Sequence, residues 1–291
     1  MQNIDNIKEA VFACVDGSKF SEAVCDYALE IAEQLQLPLV LLNTIEHPNA
    51  SSMTDFSGNL SLGEREDLLE ELSEEDAVKN RLTRTTGKEL LSSLKAKILT
   101  KGYTNVITLQ RHGTLYENLN DFKKKLRVVL FGVSGMGSLN EEIEIGAQVE
   151  DIIRDIDAPI ILVNKDYTPI QKIMIAFNGA SGSVRALEEV SASPMFAKDI
   201  KRYIVTVDKN IQKAQELTLQ AKDLIKDLSL NCQYLPKKGD PLESLLNSIT
   251  NNNIDILAIG SYSHGKIKSA LFGSFTTKLI KDVKIPLIIL K

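Results

Sequence analysis

Continuous apolar runs of five to seven residues alternate along this chain with longer segments in which apolar residues recur at helical spacing. A run without polar alternation suits a strand that is buried on both faces, as in a parallel sheet covered by helices. Right-handed crossovers between such strands produce a doubly wound sheet. The pattern therefore predicts an α/β protein.

The predicted strands and helices fall into two similar sets, each able to form one five-stranded parallel sheet. The strands are 9–15, 39–45, 104–110, 127–132 and 159–163 in the first set, and 171–177, 201–207, 231–235, 255–260 and 285–290 in the second. The helices are 19–36, about 66–101, 115–122 and 145–156 in the first set, and 182–194, 209–228, 241–252 and 268–281 in the second.

Landmarks of the two sets recur in the same order, which indicates an internal duplication. The turns Asp16-Gly17-Ser18 and Asn178-Gly179-Ala180 lie 162 residues apart, whereas later landmarks, such as Gly132 and Gly260, lie only 126 to 128 residues apart. The difference places an insertion at about 47–84 in the first copy. We predict one domain at 1–165 and a second at 170–291, each of ordinary size.

Composition and charge narrow the range of functions. The net charge is −5, so no overall field favours nucleic acid or anionic lipid. No run reaches the roughly 18 apolar residues of a membrane span, and the first residues do not resemble a signal peptide. Cys14, Cys25 and Cys232 form no C-x-x-C pair, and the first two lie in segments expected to be buried. We expect a cytoplasmic protein with no nucleic-acid or membrane partner.

No residue pattern predicts a catalytic or metal site. His47, His112 and His264 are isolated, and the adjacent Ser263 and His264 cannot adopt the geometry of a nucleophile and its base. Cysteine and histidine spacings do not suit zinc, and the Gly-x4-Gly-Lys-[Ser/Thr] phosphate loop is missing. We assign no catalytic residues and no metal ligands, and expect at most weak ATP hydrolysis.

A glycine- and serine-rich stretch follows the strand that ends at Gly260 and continues to Thr277. Ligands of doubly wound sheets bind at the carboxyl ends of the strands. Glycines let backbone N–H groups approach an anion, and a helix N-terminus adds partial positive charge. Hydroxyls of Ser263, Ser274 and Thr276 can donate hydrogen bonds. A phosphate site and an ordinary loop are both compatible with these residues alone.

The spacing Gly260-x2-Ser263-x9-Gly273-Ser274 resembles the Gly-x2-Gly-x9-Gly-Ser signature of ATP-binding universal stress proteins, with serine in place of the second glycine. Together with Asp16-Gly17-Ser18, it is similar to the tandem members of that family over nearly the whole chain. The resemblance implies two Rossmann-like domains of the adenine nucleotide alpha hydrolase type. It further implies an intramolecular pseudo-dimer in which 160–163 lies against 287–290. A further homodimer of the whole chain is left open.

The resemblance also implies the roles of individual residues in the second copy. Asn178 replaces an aspartate that contacts adenine in the family, and its amide oxygen can accept a hydrogen bond from the adenine amino group. The backbone of Val207 pairs with the base. The ribose and phosphates fall to the glycine loop, and the neighbouring turn lies beside the cleft. The loop and turn residues are Ile259, Gly260, Ser263, Gly273, Ser274 and Phe275 in the loop, and Gly239 and Asp240 in the turn.

The loop of the first copy departs from the signature. Glu141, Glu142 and Glu144 would repel a triphosphate, and Ala147 replaces the final serine. The resemblance therefore predicts that ATP or a related adenine nucleotide, with Mg2+, binds only in the second copy, and that the protein acts in stress response through protein partners. The alternative is a ligand-free tandem interaction module whose nucleotide loops are relics.

Overall fold

The computed structural model describes residues 4–46, 82, 84–133, 147–260 and 274–291. The predicted insertion at 47–84 lies almost entirely outside the described residues. The glycine loop at 261–273 and its first-half counterpart at 134–146 lie outside them as well.

The first half contributes five strands and four helices. The strands are β1 (Ala10–Cys14), β2 (Leu39–Ile45), β3 (Val106–His112), β4 (Leu126–Gly132) and β5 (Ile160–Val163). The helices are α1 (Ser21–Leu35), α2 (84–100), α3 (Leu115–Asp121) and α4 (Ala147–Asp155). Short 3-10 turns occupy Ile4–Asn6 and Lys123–Lys125.

The second half repeats this series. Its strands are β6 (Lys172–Phe177), β7 (Lys201–Asp208), β8 (Cys232–Lys238), β9 (Ile256–Gly260) and β10 (Leu287–Leu290). Its helices are α5 (Ser181–Ala192), α6 (Ile211–Leu224), α7 (Pro241–Asn252) and α8 (Ser274–Asp282). The predicted α/β fold class is confirmed, whereas the domain boundaries at 1–165 and 170–291 stay a prediction.

All ten strands form one sheet, in the order β3-β2-β1-β4-β5-β10-β9-β6-β7-β8. Neighbouring strands within each half are parallel, whereas β5 and β10 pair antiparallel, with Ile161 opposite Ile288 and Leu162 opposite Leu287. This pairing is the one expected for 160–163 and 287–290. Because the pairing is antiparallel, the carboxyl ends of the strands in the two halves lie at opposite edges of the sheet.

Helices cover both faces of the sheet, so the central strands are buried on both sides. All five residues of β1 and all four of β5 and β10 are buried. This burial explains why these strands read as continuous apolar runs. Two apolar layers result, one on each face of the sheet, and each extends across both halves.

The largest boundary difference among the strands lies at β8, which was predicted to end at 235. The prediction stopped at Pro236 because proline has no N–H to donate to a ladder. The strand instead runs to Lys238, and Pro236 pairs with Thr206 of β7. β8 is an edge strand, and a proline on its outer side costs no ladder hydrogen bond.

The segment between the halves is fastened to α1 by a cluster of tyrosine and glutamate side chains. Tyr167 donates its hydroxyl to Glu30 at 3.1 Å, and the Ile170 N–H donates to the other oxygen of Glu30 at 3.2 Å. The Tyr27 and Tyr167 rings meet edge to face with 4.9 Å between centroids. Asn164 donates to the carbonyl of Val283, just after α8, at 2.7 Å. The connection is therefore held at both ends.

The three cysteines are all free thiols. Cys14 and Cys25 are buried, as the sequence predicts, and burial raises the pKa of the Cys25 thiol to about 12. None of the helices in the described part of the chain combines the length and the hydrophobicity that crossing a bilayer requires.

The junction between β5 and β10 should be a major source of stability. Leu162 is 2% exposed and lies opposite Leu287, so Leu162→Ala should lower the free energy of unfolding by about 2–5 kcal/mol through lost burial and a residual cavity. The matched control Leu219→Ala removes the same atoms from a side chain that is 67% exposed and should change it by less than about 0.5 kcal/mol. Urea denaturation measures both, and equal effects would contradict the central role of this junction.

Glu30 should make the stability depend on pH. Burial raises the pKa of its carboxyl above the ordinary 4.5, although the hydrogen bonds from Ile170 and Tyr167 oppose this rise. The folded state therefore favours the protonated form, and the resulting stabilisation is complete below pH 4.5 and lost as the pH rises through the raised pKa. The free energy of unfolding of the wild type relative to Glu30→Gln should fall over that interval. Denaturant titrations at a series of pH values measure it, and a difference that stays constant would refute the assignment.

Candidate functional site

A cleft of about 210 Å3 opens at the carboxyl ends of β6, β7 and β9 in the second half. Its walls are mainly apolar, and polar groups come from Asn178, Ser183 and Thr276. The apolar residues that shape it are Ala176, Val205, Val207, Leu245, Ile259 and Phe275. An apolar cleft with a few polar groups at this edge of a doubly wound sheet is typical of a small-molecule site.

The turn after β6 fixes one side of the cleft. Gly179 has φ +77°, a conformation that glycine adopts without strain. The Ala180 N–H donates to the side-chain oxygen of Asn178 at 3.0 Å, which closes an Asx turn. The Ser183 hydroxyl accepts from the Asn178 N–H at 3.3 Å and donates to the Ala180 carbonyl at 2.9 Å. These bonds orient α5, whose N-cap residue, Ala180, has no capping side chain.

Gly260 and Gly182 form the floor of the cleft. A Cβ added to Gly260 would lie 2.1 Å from the carbonyl carbon and oxygen of Gly182 and 2.4 Å from the N atom of Ser183. The end of β9 therefore touches the backbone of the first turn of α5 directly. Such close approach is allowed only at glycine. It places the positive end of the α5 dipole at the mouth of the cleft.

The turn before α7 fixes another side. The Gly239 N–H donates to the Asp208 carbonyl at 3.1 Å, and the Asp240 carboxylate accepts from the Glu243 N–H at 3.1 Å as the N-cap of α7. Pro241 and Leu245 of α7 then face the cleft. Gly239 and Asp240 do not line it themselves, so the structure gives both a turn and capping function.

The structure thus brings five of the predicted site residues to one cleft: Asn178, Val207, Ile259, Gly260 and Phe275. Ser274 is the first residue of α8, whereas Ser263 and Gly273 lie outside the described residues. Among the described residues, no group of three or more His, Cys, Asp or Glu side chains stands close enough to hold a metal ion.

Sequence comparison decides the family. The sequence model of the universal stress protein family matches residues 9–164, more than half of the chain. The chain belongs to the universal stress protein family.

Relatives match this universal stress protein along nearly its whole length. A universal stress protein from Synechocystis is 26% identical over 282 residues, which cover 96% of this chain and 98% of that protein. A universal stress protein structure from Archaeoglobus fulgidus has a TM-score of 0.68 at 17% identity and covers 98% of this chain and 97% of that one. A protein of unknown function from Pseudomonas aeruginosa has a TM-score of 0.60 at 13% identity, with 98% and 93% covered. The two structures support the fold alone.

The two halves of this universal stress protein differ at the corresponding place. The same turn forms after β1, where the Asp16 carboxylate accepts from the Ser18 N–H at 2.9 Å. Phe20, however, stands at the position that corresponds to Gly182, 162 residues earlier. A Cβ on Gly132 would lie 3.1 Å from the Cβ of Phe20, so this aromatic residue packs over the end of β4. In the first half, side-chain atoms fill space that the second half leaves to the cleft.

Sequence reasoning missed several cleft residues of this universal stress protein. Val205 lies on the same strand face as Val207 because side chains alternate with a period of two, and Leu245 lies one helical turn after Pro241. Both periodicities could have identified them. The importance of Gly182 depends on its contact with Gly260, which no local pattern predicts.

The contact between Gly260 and Gly182 should be intolerant of any side chain. Gly260→Ala should lower the free energy of unfolding by about 1–3 kcal/mol or more, because the added methyl group meets backbone atoms that cannot rotate away. Gly132→Ala is the control, since its nearest neighbour at 3.1 Å is a side-chain atom of Phe20. Thermal or denaturant unfolding measures both variants, and a Gly260→Ala protein as stable as Gly132→Ala would contradict the geometry.

Proposed function

We propose that this universal stress protein binds ATP or a related adenine nucleotide in the cleft of its second half. Binding would alter its contacts with protein partners during a stress response in the cytoplasm. The observation that carries the proposal is the cleft itself, where Asn178, Val207 and Ile259 meet the glycine contact between Gly182 and Gly260.

The chemistry of the cleft fits a nucleotide. A purine is a flat, largely apolar ring system, and Val205, Val207, Leu245 and Ile259 offer apolar surface on several sides. The backbone of Val207 supplies one N–H and one carbonyl close to the end of β7. The first turn of α5 supplies backbone N–H groups next to Gly260, and such groups favour an anion. A base would therefore bind against the valines and phosphates near the α5 N-terminus.

Magnesium would accompany the phosphates in this proposal. Mg2+ keeps several water ligands and is commonly held by substrate phosphates together with one or two carboxylates. The residues named here supply binding and orientation, and no hydrolytic step is assigned to them.

The first half has a different part in the proposal. Phe20 packs over the end of β4, and the predicted loop of that half carries three glutamates. We propose that it binds no nucleotide and instead completes the sheet through β5. Its outer surfaces remain for protein partners.

Mass spectrometry of small molecules released from freshly purified protein tests nucleotide binding directly. In a melting experiment, ATP at ten times its dissociation constant should stabilise the protein by about 1.4 kcal/mol. Val207→Asp should weaken ATP binding at least about tenfold, because it places a carboxylate against the base and near the phosphates. Thr44→Asp changes the corresponding position of β2 in the first half, as the strand registers indicate, and should leave ATP binding unchanged.

The melting temperature of each unliganded variant controls for folding. Absence of any released nucleotide, together with no stabilisation by millimolar ATP and magnesium, would overturn the proposal. That outcome would favour a ligand-free interaction module.

A further inference from the structure

The turns after β1 and β6 use one head-group atom of the turn residue in the same way. In the first half, one carboxylate oxygen of Asp16 accepts from the Ser18 N–H at 2.9 Å and from the Ser21 hydroxyl at 3.1 Å. In the second half, the side-chain oxygen of Asn178 accepts from the Ala180 N–H at 3.0 Å. The two turns therefore provide an internal comparison between a carboxylate and a carboxamide in the same local geometry.

The hydrogen bond from Ala180 fixes which way the Asn178 amide is turned. A backbone N–H can only donate, so the atom that accepts from it must be the amide oxygen and not the amide nitrogen. The NH2 group of Asn178 then occupies the place of the second carboxylate oxygen of an aspartate. At this place the residue donates hydrogen bonds, whereas an aspartate would accept them.

This difference bears on the cleft because Asn178 lines it and is exposed there. The neighbouring Ser183 lines it as well, but its hydroxyl hydrogen is directed to the Ala180 carbonyl at 2.9 Å. The polarity of this wall towards a ligand is therefore set by the Asn178 head group. A ligand group that meets the NH2 of Asn178 must be an acceptor, since two facing donors leave both without a bond.

We propose that Asn178 is a specificity-determining residue that shifts the preference of the cleft towards a nucleobase with a carbonyl oxygen at the facing position. A 6-oxopurine has that oxygen where adenine has an amino group. The inference rests on the proposed nucleotide binding and concerns only which base fits. Pairing of Asn178 with a carbonyl-bearing base and of an aspartate with adenine follows from donor and acceptor matching alone.

Competition between ATP and inosine triphosphate tests the inference, because at carbon 6 of the base ATP has an amino group and inosine triphosphate a carbonyl. The measured quantity is the ratio of their affinities in the full-length wild type and in Asn178→Asp. That substitution keeps an oxygen for the Ala180 N–H, as Asp16 does for Ser18. The ratio should favour inosine triphosphate at least about tenfold more in the wild type than in Asn178→Asp, the size of one mismatched hydrogen bond.

Comparing the two proteins cancels the contribution of the rest of the cleft, including the backbone of Val207. Asp16→Asn, the mirror substitution in the first half, is the matched control and should leave the ratio at its wild-type value. If both nucleotides bind and the ratio is the same in wild type and Asn178→Asp, the inference is wrong while nucleotide binding stands. If neither nucleotide binds the wild type, both proposals fail.

Discussion

The antiparallel pairing of β5 with β10 determines how the molecule is assembled. Each half is a sheet of five parallel strands, and a parallel sheet has an exposed edge on either side unless another strand covers it. Three residue pairs, from Ile160 with Ile289 to Leu162 with Leu287, join the two edges and bury them under helices from both halves. The apolar layers become continuous across the junction, and the carboxyl ends of the two halves turn away from one another.

The duplicated sequence has produced two unequal copies on this shared frame. The turn geometry is the same in both, down to the side-chain oxygen that closes it. The difference lies in volume: a glycine beside the end of β9 leaves a cleft, and a phenylalanine beside the end of β4 does not. One half can therefore specialise in a ligand, while the other retains its packing role without the constraint of keeping a cavity open.

Sequence reasoning predicted the order of the elements, the parallel strands and the pairing of the halves, because buried strands and amphipathic helices leave strong periodic signals. It placed the end of β8 too early because the cost of Pro236 depends on whether the strand is central or at an edge. It also found five cleft residues through the family resemblance. The rest of the cleft depends on long-range contacts, such as that between Gly182 and Gly260, and on which atom of Asn178 the turn engages. Neither is encoded in a local pattern.

The position of β10 at the centre of the sheet has a consequence for biosynthesis. Ribosomes make the chain from its amino terminus, so the four apolar residues of β5 have no neighbour on one side until residues 287–290 have emerged. During that interval the first half presents an unpaired apolar strand edge, the kind of surface that recruits other nascent chains. Translation that stopped before β10 would leave this edge permanently open, and such a product would be a substrate for chaperones or a seed for aggregation.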